Sequence, residues 1–547
     1  MLIHSRRPFF FLWPVFCAAI FCTGATTPPV TTPAFAPKTP KHAKPAPGAE
    51  LFTNGAILNI KIEFSPGEMN ALRKDNRKMA RATVTEGGKV YKDVGVHVKG
   101  AAGSTRGVDD KPALTLSFGK FTPDQKFHGL PKIHLNNSVQ DGSYMTEILC
   151  GELFRAAGVP ATRGTHALVE FNGRKLGLFV MKEGFTKEFL SMFFKKPEGN
   201  LYDGGFIREV TDQLERDRGN DVKDWSDLKA LAAAAQEPDL TKRWDRLQKS
   251  LDVERFASYM ALEAICWDWD GYVNNRNNYR VYHDVSKDRM VFFPHGMDQM
   301  FWEANGPMQM NMNGLVAGSF MQTPEGRRLY RTRFSEIFTN IFQVEAVTNR
   351  VVELGKTITR ALATIDPNAA RDYQGQVNRI RDLVTQRHAS LLRQLNVPPP
   401  APLKFESGVA KITAWRMENT LATAKLEPAK DPDGRAVLHI LTAMPTASSW
   451  RSKVMLEAGR YRFEGLARGS GIVSIPAETK GEGAGLRISG ATIPRSNKVS
   501  GNAPWTKLQY EFEVPPPGDE VDLVCELRAS KGEVWFDAGS LQLMRIK

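Results

Sequence analysis

Trp267-Asp268-Trp269-Asp270-Gly271-Tyr272-Val273-Asn274-Asn275-Arg276-Asn277-Asn278-Tyr279, followed by Phe293-Pro294-His295-Gly296-Met297-Asp298-Gln299-Met300-Phe301, is the stretch on which the reading of this chain turns. An acidic residue precedes a run of Asn side chains at the mouth of an expected strand, residues 279–283. A second expected strand, 290–293, leads to another acidic residue. Phosphoryl transfer needs such equipment. One carboxylate orients or accepts the attacking hydroxyl, and an amide oxygen with a second carboxylate holds Mg²⁺, a hard cation that takes oxygen ligands. Asp270 is then the candidate catalytic residue and Asp298 the candidate metal ligand, with Asn275, Asn277 or Asn278 beside it. Asp270 to Asn275 has the Asp-to-Asn offset of a kinase catalytic loop. Asn and Asp also dominate turns, so spacing alone leaves ordinary Asx turns as an equal reading.

Working outward, residues 51–135 read mainly as strands, at 57–62, 94–99, 114–118 and 132–135. Ser65-Pro66 is the expected cap and first position of a short helix. Residues 144–157 have helical periodicity, which Gly158 stops. Residues 167–171 and 176–181 form an expected hairpin around Asn172-Gly173. Residues 226–268 and 327–396 read as helical. The small-residue stretch Gly100-Ala101-Ala102-Gly103-Ser104 reads by itself as an ordinary hairpin; its other reading is a loop whose backbone N–H groups approach phosphates, with Lys111 or Lys99 as point charge. It is not a Walker motif, which needs GxxxxGK[ST].

The chain has 547 residues and a formal net charge of +13, spread along its length, which reads as a basic surface and not as a nucleic-acid site. Its length implies more than one domain. Arg6-Arg7, an apolar run and small residues describe a signal peptide at 1–25, of Sec or twin-arginine type, with no membrane span after its removal. Residues 26–49, rich in Pro, Thr, Ala and Lys, read as a disordered tether. Cys150, Cys266 and Cys525 are too sparse for a disulfide framework or a zinc site. Localisation is expected to be exported: periplasm, cell surface or secreted, with a bacterial envelope favoured.

The ordered set of motifs resembles the CotH kinase family, over residues 51–396. Asp270 resembles the family's first Asp, Asn277-Asn278-Tyr279 its His-Asn-Tyr, and Pro294 with Asp298-Gln299-Met300-Phe301 its last block. His295 and Gly296 depart from it, where the family has Trp and Asp. By this resemblance Asn278 is the metal Asn, and Lys111, with Lys99 competing, is the phosphate lysine. Glu147 is the lysine's partner, with Glu152 the alternative. Met181 and Glu183 lie at the hinge that meets adenine. The implied fold is α+β, an atypical protein-kinase-like domain. The implied function is ATP- and Mg²⁺- (or Mn²⁺-) dependent phosphotransfer to Ser/Thr hydroxyls of an envelope or secreted protein. The alternatives are a non-catalytic surface or glycan-binding pseudokinase, or another nucleotide-dependent transfer such as AMP transfer.

A Pro-rich linker at 397–404 marks a boundary. Beyond it, residues 405–547 carry short strands separated by turns, the pattern of a β-sandwich or jelly roll. This unit resembles carbohydrate-binding jelly rolls. Trp450, Trp505 and Trp535 are its candidate glycan-stacking residues, with core packing the favoured reading of Trp535. Some folds of this kind hold a structural Ca²⁺, for which Asp537 is a candidate ligand.

Overall fold

Period-two alternation builds the first layer: in β1 (Leu58–Glu63), Leu58, Ile60 and Ile62 are buried while Asn59 and Glu63 face solvent. The computed structural model describes residues 45–546 except 54, 56, 102, 220–224, 398–400, 420–422, 476–480 and 491–493. The expected signal peptide, most of the expected tether and part of the Pro-rich linker lie outside the described residues.

β1 is joined by β2 (Ala80–Glu86), β3 (Lys89–Lys99), β4 (Ala113–Ser117), β5 (Lys132–Asn136), β6 (Gly164–Phe171) and β7 (Arg174–Glu183). They close into a barrel in the order β1-β2-β3-β4-β5-β7-β6. Closure comes from β1 running parallel to β6, with Leu58 opposite Ala167, so the sheet has no free edge. Inside, the rings of Phe118 and Phe127 stack at 5.1 Å and Tyr91 meets Phe118 edge-on at 5.2 Å. Ser65 caps the helix Pro66–Lys74 by accepting from Glu68 N at 3.3 Å. Asn172 and Gly173 turn the β6–β7 hairpin with φ of 47° and 77°. Both features follow the sequence reading.

Alternation also sorts residues between two cores. In β7, Phe179 and Met181 face the barrel interior, while Leu178 and Val180 face a second core built from helices. The helices Thr146–Ala156, Val253–Cys266, Pro324–Asn340, Val344–Ala363 and Gln374–Leu395 supply much of it. A four-stranded sheet of order β11-β10-β8-β9 packs with them: β8 (Leu201–Asp203), β9 (Glu215–Arg218), β10 (Tyr279–Asp284) and β11 (Arg289–Pro294). Tyr279, the first residue of β10, lies opposite Pro294, the last of β11. The loop entering β10 and the segment leaving β11 therefore emerge at one end of the sheet.

The remaining strands form a β-rich unit with a core of its own, from Ile412 to Leu543. The expected strand at 437–441 is found as Ala436–Thr442, while the other expected short strands merge into two long ones, Thr446–Ser474 and Gly501–Asp537. Gly459 and Gly518, at φ of 154° and 124°, break them. Thr446 lies opposite Ala529 before the break and Gly459 opposite Val514 after it. Arg327, on the helix Pro324–Asn340, pairs with Asp519 of this unit. Cys150, Cys266 and Cys525 are free and buried.

His166 is buried in β6, its Nε2 bonded to Tyr144 O at 2.8 Å, and burial lowers its pKa from 6.5 to about 4. A lowered value means that the unfolded chain binds more protons between these limits. Stability is therefore expected to fall as pH drops from 6.5 towards 4, by up to about 3 kcal/mol from this residue. Urea unfolding across that range tests this, with His166→Gln showing a shallower pH dependence.

Candidate active site

The helix Val253–Cys266 ends at Trp267, in the left-handed conformation with φ of 54°. A loop then carries Asp268, Trp269 and Asp270 into the one-turn helix Tyr272–Asn275. Glu263 holds that turn in place, accepting from Tyr272 N at 3.1 Å and Val273 N at 2.8 Å. Gly271 has to be glycine, since a Cβ there would meet the Glu263 carboxylate at 2.7 Å. Burial pushes the Glu263 pKa up to about 8, against the pull of its donors.

Asp270 accepts from Asn275 Nδ2 at 2.7 Å and from Asn277 and Asn278 Nδ2 at 3.0 Å each. All three candidate Asn residues thus converge on the candidate catalytic carboxylate. Because each gives its Nδ2 to Asp270, each keeps its Oδ1 as the atom for another partner. Arg276 and Asn278 need φ of 56° and 51° to achieve this.

Asp298 follows β11 and lines the same cleft, of about 560 Å³, together with Asp270, Asn278 and Lys99. Burial, with Glu147 and Asp141 nearby, pushes the Asp298 pKa up to about 7. Lys99 lies at the end of β3, facing away from the barrel core that Val98 enters. Burial, helped by Lys182, brings its pKa down to about 7.

The lysine–glutamate pair differs from expectation. Glu147 pairs with Lys182, not with Lys111 or Lys99, and the side chains of Lys182 and Glu147 are 1% and 4% exposed. Burial opposes the Glu147 charge, but Lys182 outweighs it and the net shift is downward. Asn136 Nδ2 donates to Glu147 Oε2 at 2.5 Å and Met297 N to Oε1 at 3.3 Å. Lys111 stands apart from the cleft, its Nζ 3.4 Å from Tyr144 Oη and 4.9 Å from the centre of the Phe179 ring. Glu152, the alternative, binds Arg350 at 2.7 Å. Two hinge expectations are also corrected. Met181 packs inside the barrel, and Glu183 is taken by Arg163 at 2.6 Å.

Sequence reasoning missed Lys182, although it stands between two residues it had singled out. Counting by two from Phe179 and Met181 places Lys182 on the helix-facing side of β7. Asn136 follows likewise from Ile133 and Leu135 in β5. Asp268 and Arg387 were missed too. The Arg387 side chain is fully buried and donates to the carbonyls of Ala264 at 2.6 Å and Gly306 at 2.5 Å.

Oxygen donors from Asp298, Asn278 and their neighbours suit a hard divalent cation. Among the described residues no three His, Cys, Asp or Glu side chains form a ready metal cage, so any ligand set has to include amides or waters.

In the C-terminal unit one expected stacking residue, Trp450, is corrected. Trp450 is a core residue, 3% exposed, donating to His439 O at 3.2 Å. Trp535 stands between its cross-strand neighbours, stacked on His439 at 5.1 Å with the Arg468 guanidinium 5.2 Å from its ring centre. Trp505 is half-buried with Arg435 over it at 5.4 Å. Asp537 Oδ1 accepts from Gly539 N at 3.0 Å.

The model of the family described as "CotH kinase protein" matches residues 96–391, more than half of the chain. The chain is 22% identical over 357 residues to "Invasin CotH2" of Rhizopus delemar, covering 58% of this chain and 59% of that protein. It therefore spans less than two thirds of that relative's length. A proinflammatory kinase, CtkA, of Helicobacter pylori aligns over 54% of this chain and 97% of its own at 9% identity, with a TM-score of 0.25. A carbohydrate-binding module, TmCBM61, solved with β-1,4-galactotriose, aligns over 26% of this chain and 92% of its own at 18% identity and a TM-score of 0.18.

Removing one member of the Lys182–Glu147 pair strands the other as a buried charge. Lys182→Met or Glu147→Leu is expected to cost about 3–5 kcal/mol in urea unfolding. The double variant is expected to recover most of that loss.

Proposed function

The chain belongs to the CotH kinase protein family, and from that premise we propose that it is an exported ATP- and Mg²⁺-dependent phosphotransferase acting on Ser or Thr hydroxyls of envelope or secreted proteins. The observation that carries this reading is the Asp270 carboxylate, aimed by three amides in a cleft it shares with Asp298 and Lys99. Three hydrogen bonds fix its orientation before substrate arrives, which is the positioning that phosphoryl transfer demands. Asp270 accepts the acceptor's O–H and takes its proton as the new O–P bond forms and the bond to ADP breaks. Lys99 meets the phosphates as an ammonium. Asp298 and the Asn278 amide oxygen would hold a divalent cation, which would supply positive charge to the phosphates. Lys182 and Glu147 keep the segment bearing Asp298 in register. No helix among the described residues is long and apolar enough to cross a membrane, and export rests on the N-terminal sequence.

A non-catalytic reading draws on Gly296, which lines the cleft without a side chain. AMP transfer is the third reading. Thermal shift with ATP and Mg²⁺ addresses the first choice: a rise in midpoint is expected, and its loss in Asp298→Ala. No response in folded protein refutes phosphotransfer. Intact mass of a candidate acceptor then separates a phosphoryl adduct from an adenylyl one. Asp270→Asn is expected to keep nucleotide binding and lose at least about 10²-fold in rate.

Lys99 yields a separate expectation. With a pKa near 7 it is mostly neutral at pH 8, and phosphate contact favours its charged form. ATP binding at pH 8 is expected to take up protons, seen by calorimetry in buffers of different ionisation enthalpy. Lys99→Met is expected to remove that uptake.

A further inference from the structure

Asp268 has no part in the scheme above. It is 3% exposed and lines the cleft, two residues before Asp270. Its Oδ2 has no hydrogen-bond partner among the described residues. The groups that act on it most strongly are the Glu263, Asp270 and Asp298 carboxylates and the Cys266 thiol, none of them a cation. A buried carboxylate oxygen left without a donor is costly, and neighbouring carboxylates add to that cost. A hard divalent cation answers both problems, because it takes oxygen ligands and offsets several negative charges at once.

We propose that Asp268 is a second carboxylate ligand of the divalent cation, acting with Asp298 and the Asn278 amide oxygen. The set is two carboxylates and one amide, consistent with the absence of any three-residue His, Cys, Asp or Glu cage among the described residues. It gives the cleft a second carboxylate where Gly296 offers none. The assignment rests on the reading of the cleft as a cation and nucleotide site.

The test is titration of the full chain with Mn²⁺ alone, following free Mn²⁺ by electron paramagnetic resonance. Fluorescence of Trp267 and Trp269, which flank Asp268, gives a second signal. Asp268→Asn keeps the shape and removes the charge. It is expected to weaken Mn²⁺ binding at least about ten-fold, as Asp298→Asn does. Its thermal midpoint in chelator is expected to equal or exceed that of the unaltered chain. Unchanged Mn²⁺ affinity in a folded Asp268→Asn overturns the assignment and leaves the phosphotransfer reading standing. Absence of Mn²⁺ binding by the unaltered chain overturns both. If Asp268→Asn does not fold, Asp268→Ser is read in the same way.

Discussion

Two opposite charges sealed from water set the frame of the cleft. Lys182 belongs to the barrel and Glu147 to the helix beside it, and their desolvation is offset only while both are present and fully bonded. Asn136 and Met297 N occupy the carboxylate's remaining positions. The second of these matters most for the site. Met297 is the residue before Asp298, and Thr146 Oγ1 also donates to Met297 O at 3.0 Å. One ion pair therefore joins three pieces of chain, two of them about 150 residues apart in sequence, and places Asp298 by its neighbour.

The other half of the cleft is fixed from below. Helix ends leave carbonyls short of partners, and Arg387 donates to Ile265 O and, alongside Trp267 N, to Ala264 O, just before the loop that carries Asp268 and Asp270. The same guanidinium binds Ala304 and Gly306 beyond Asp298 and lies 5.2 Å from the Trp267 ring centre. A cation at a helix C-terminus is also favoured by the helix dipole. Glu263 does the complementary work at the N-terminal end of the Tyr272–Asn275 turn. The two loops are thus tied to a common base, while their tips stay polar and face the cleft.

Much of this was legible in the sequence, because the rules involved are local. Strands, the Ser65 cap and the Asn172-Gly173 turn all depend on near neighbours, whereas the Asn residues, assigned from sequence to the cation beside Asp298, donate their amides to Asp270. Barrel closure was not legible, since β1 pairs with β6 more than 100 residues later and neither strand advertises its partner. Lys182 was hidden by a hinge analogy that directed attention to the residues on either side, although strand alternation would have found it. Trp450 shows the opposite failure. An indole reads the same in sequence whether it faces solvent or a core, and cross-strand neighbours decide which.

Gly296 shows how a departure from a family pattern can be structural in origin. Its φ is +62°, and a Cβ at this position would sit 2.7 Å from Asn278 Oδ1. A carboxylate could enter there only by displacing the amide or changing the backbone, and His295 N is already bonded to Asn278 O at 2.8 Å. In this chain, then, the backbone after β11 packs directly on Asn278. That close approach holds the amide where it donates to Asp270. The site gives up one charge at 296 and gains a fixed amide in return. Carboxylates in the cleft come instead from Asp268, Asp270 and Asp298.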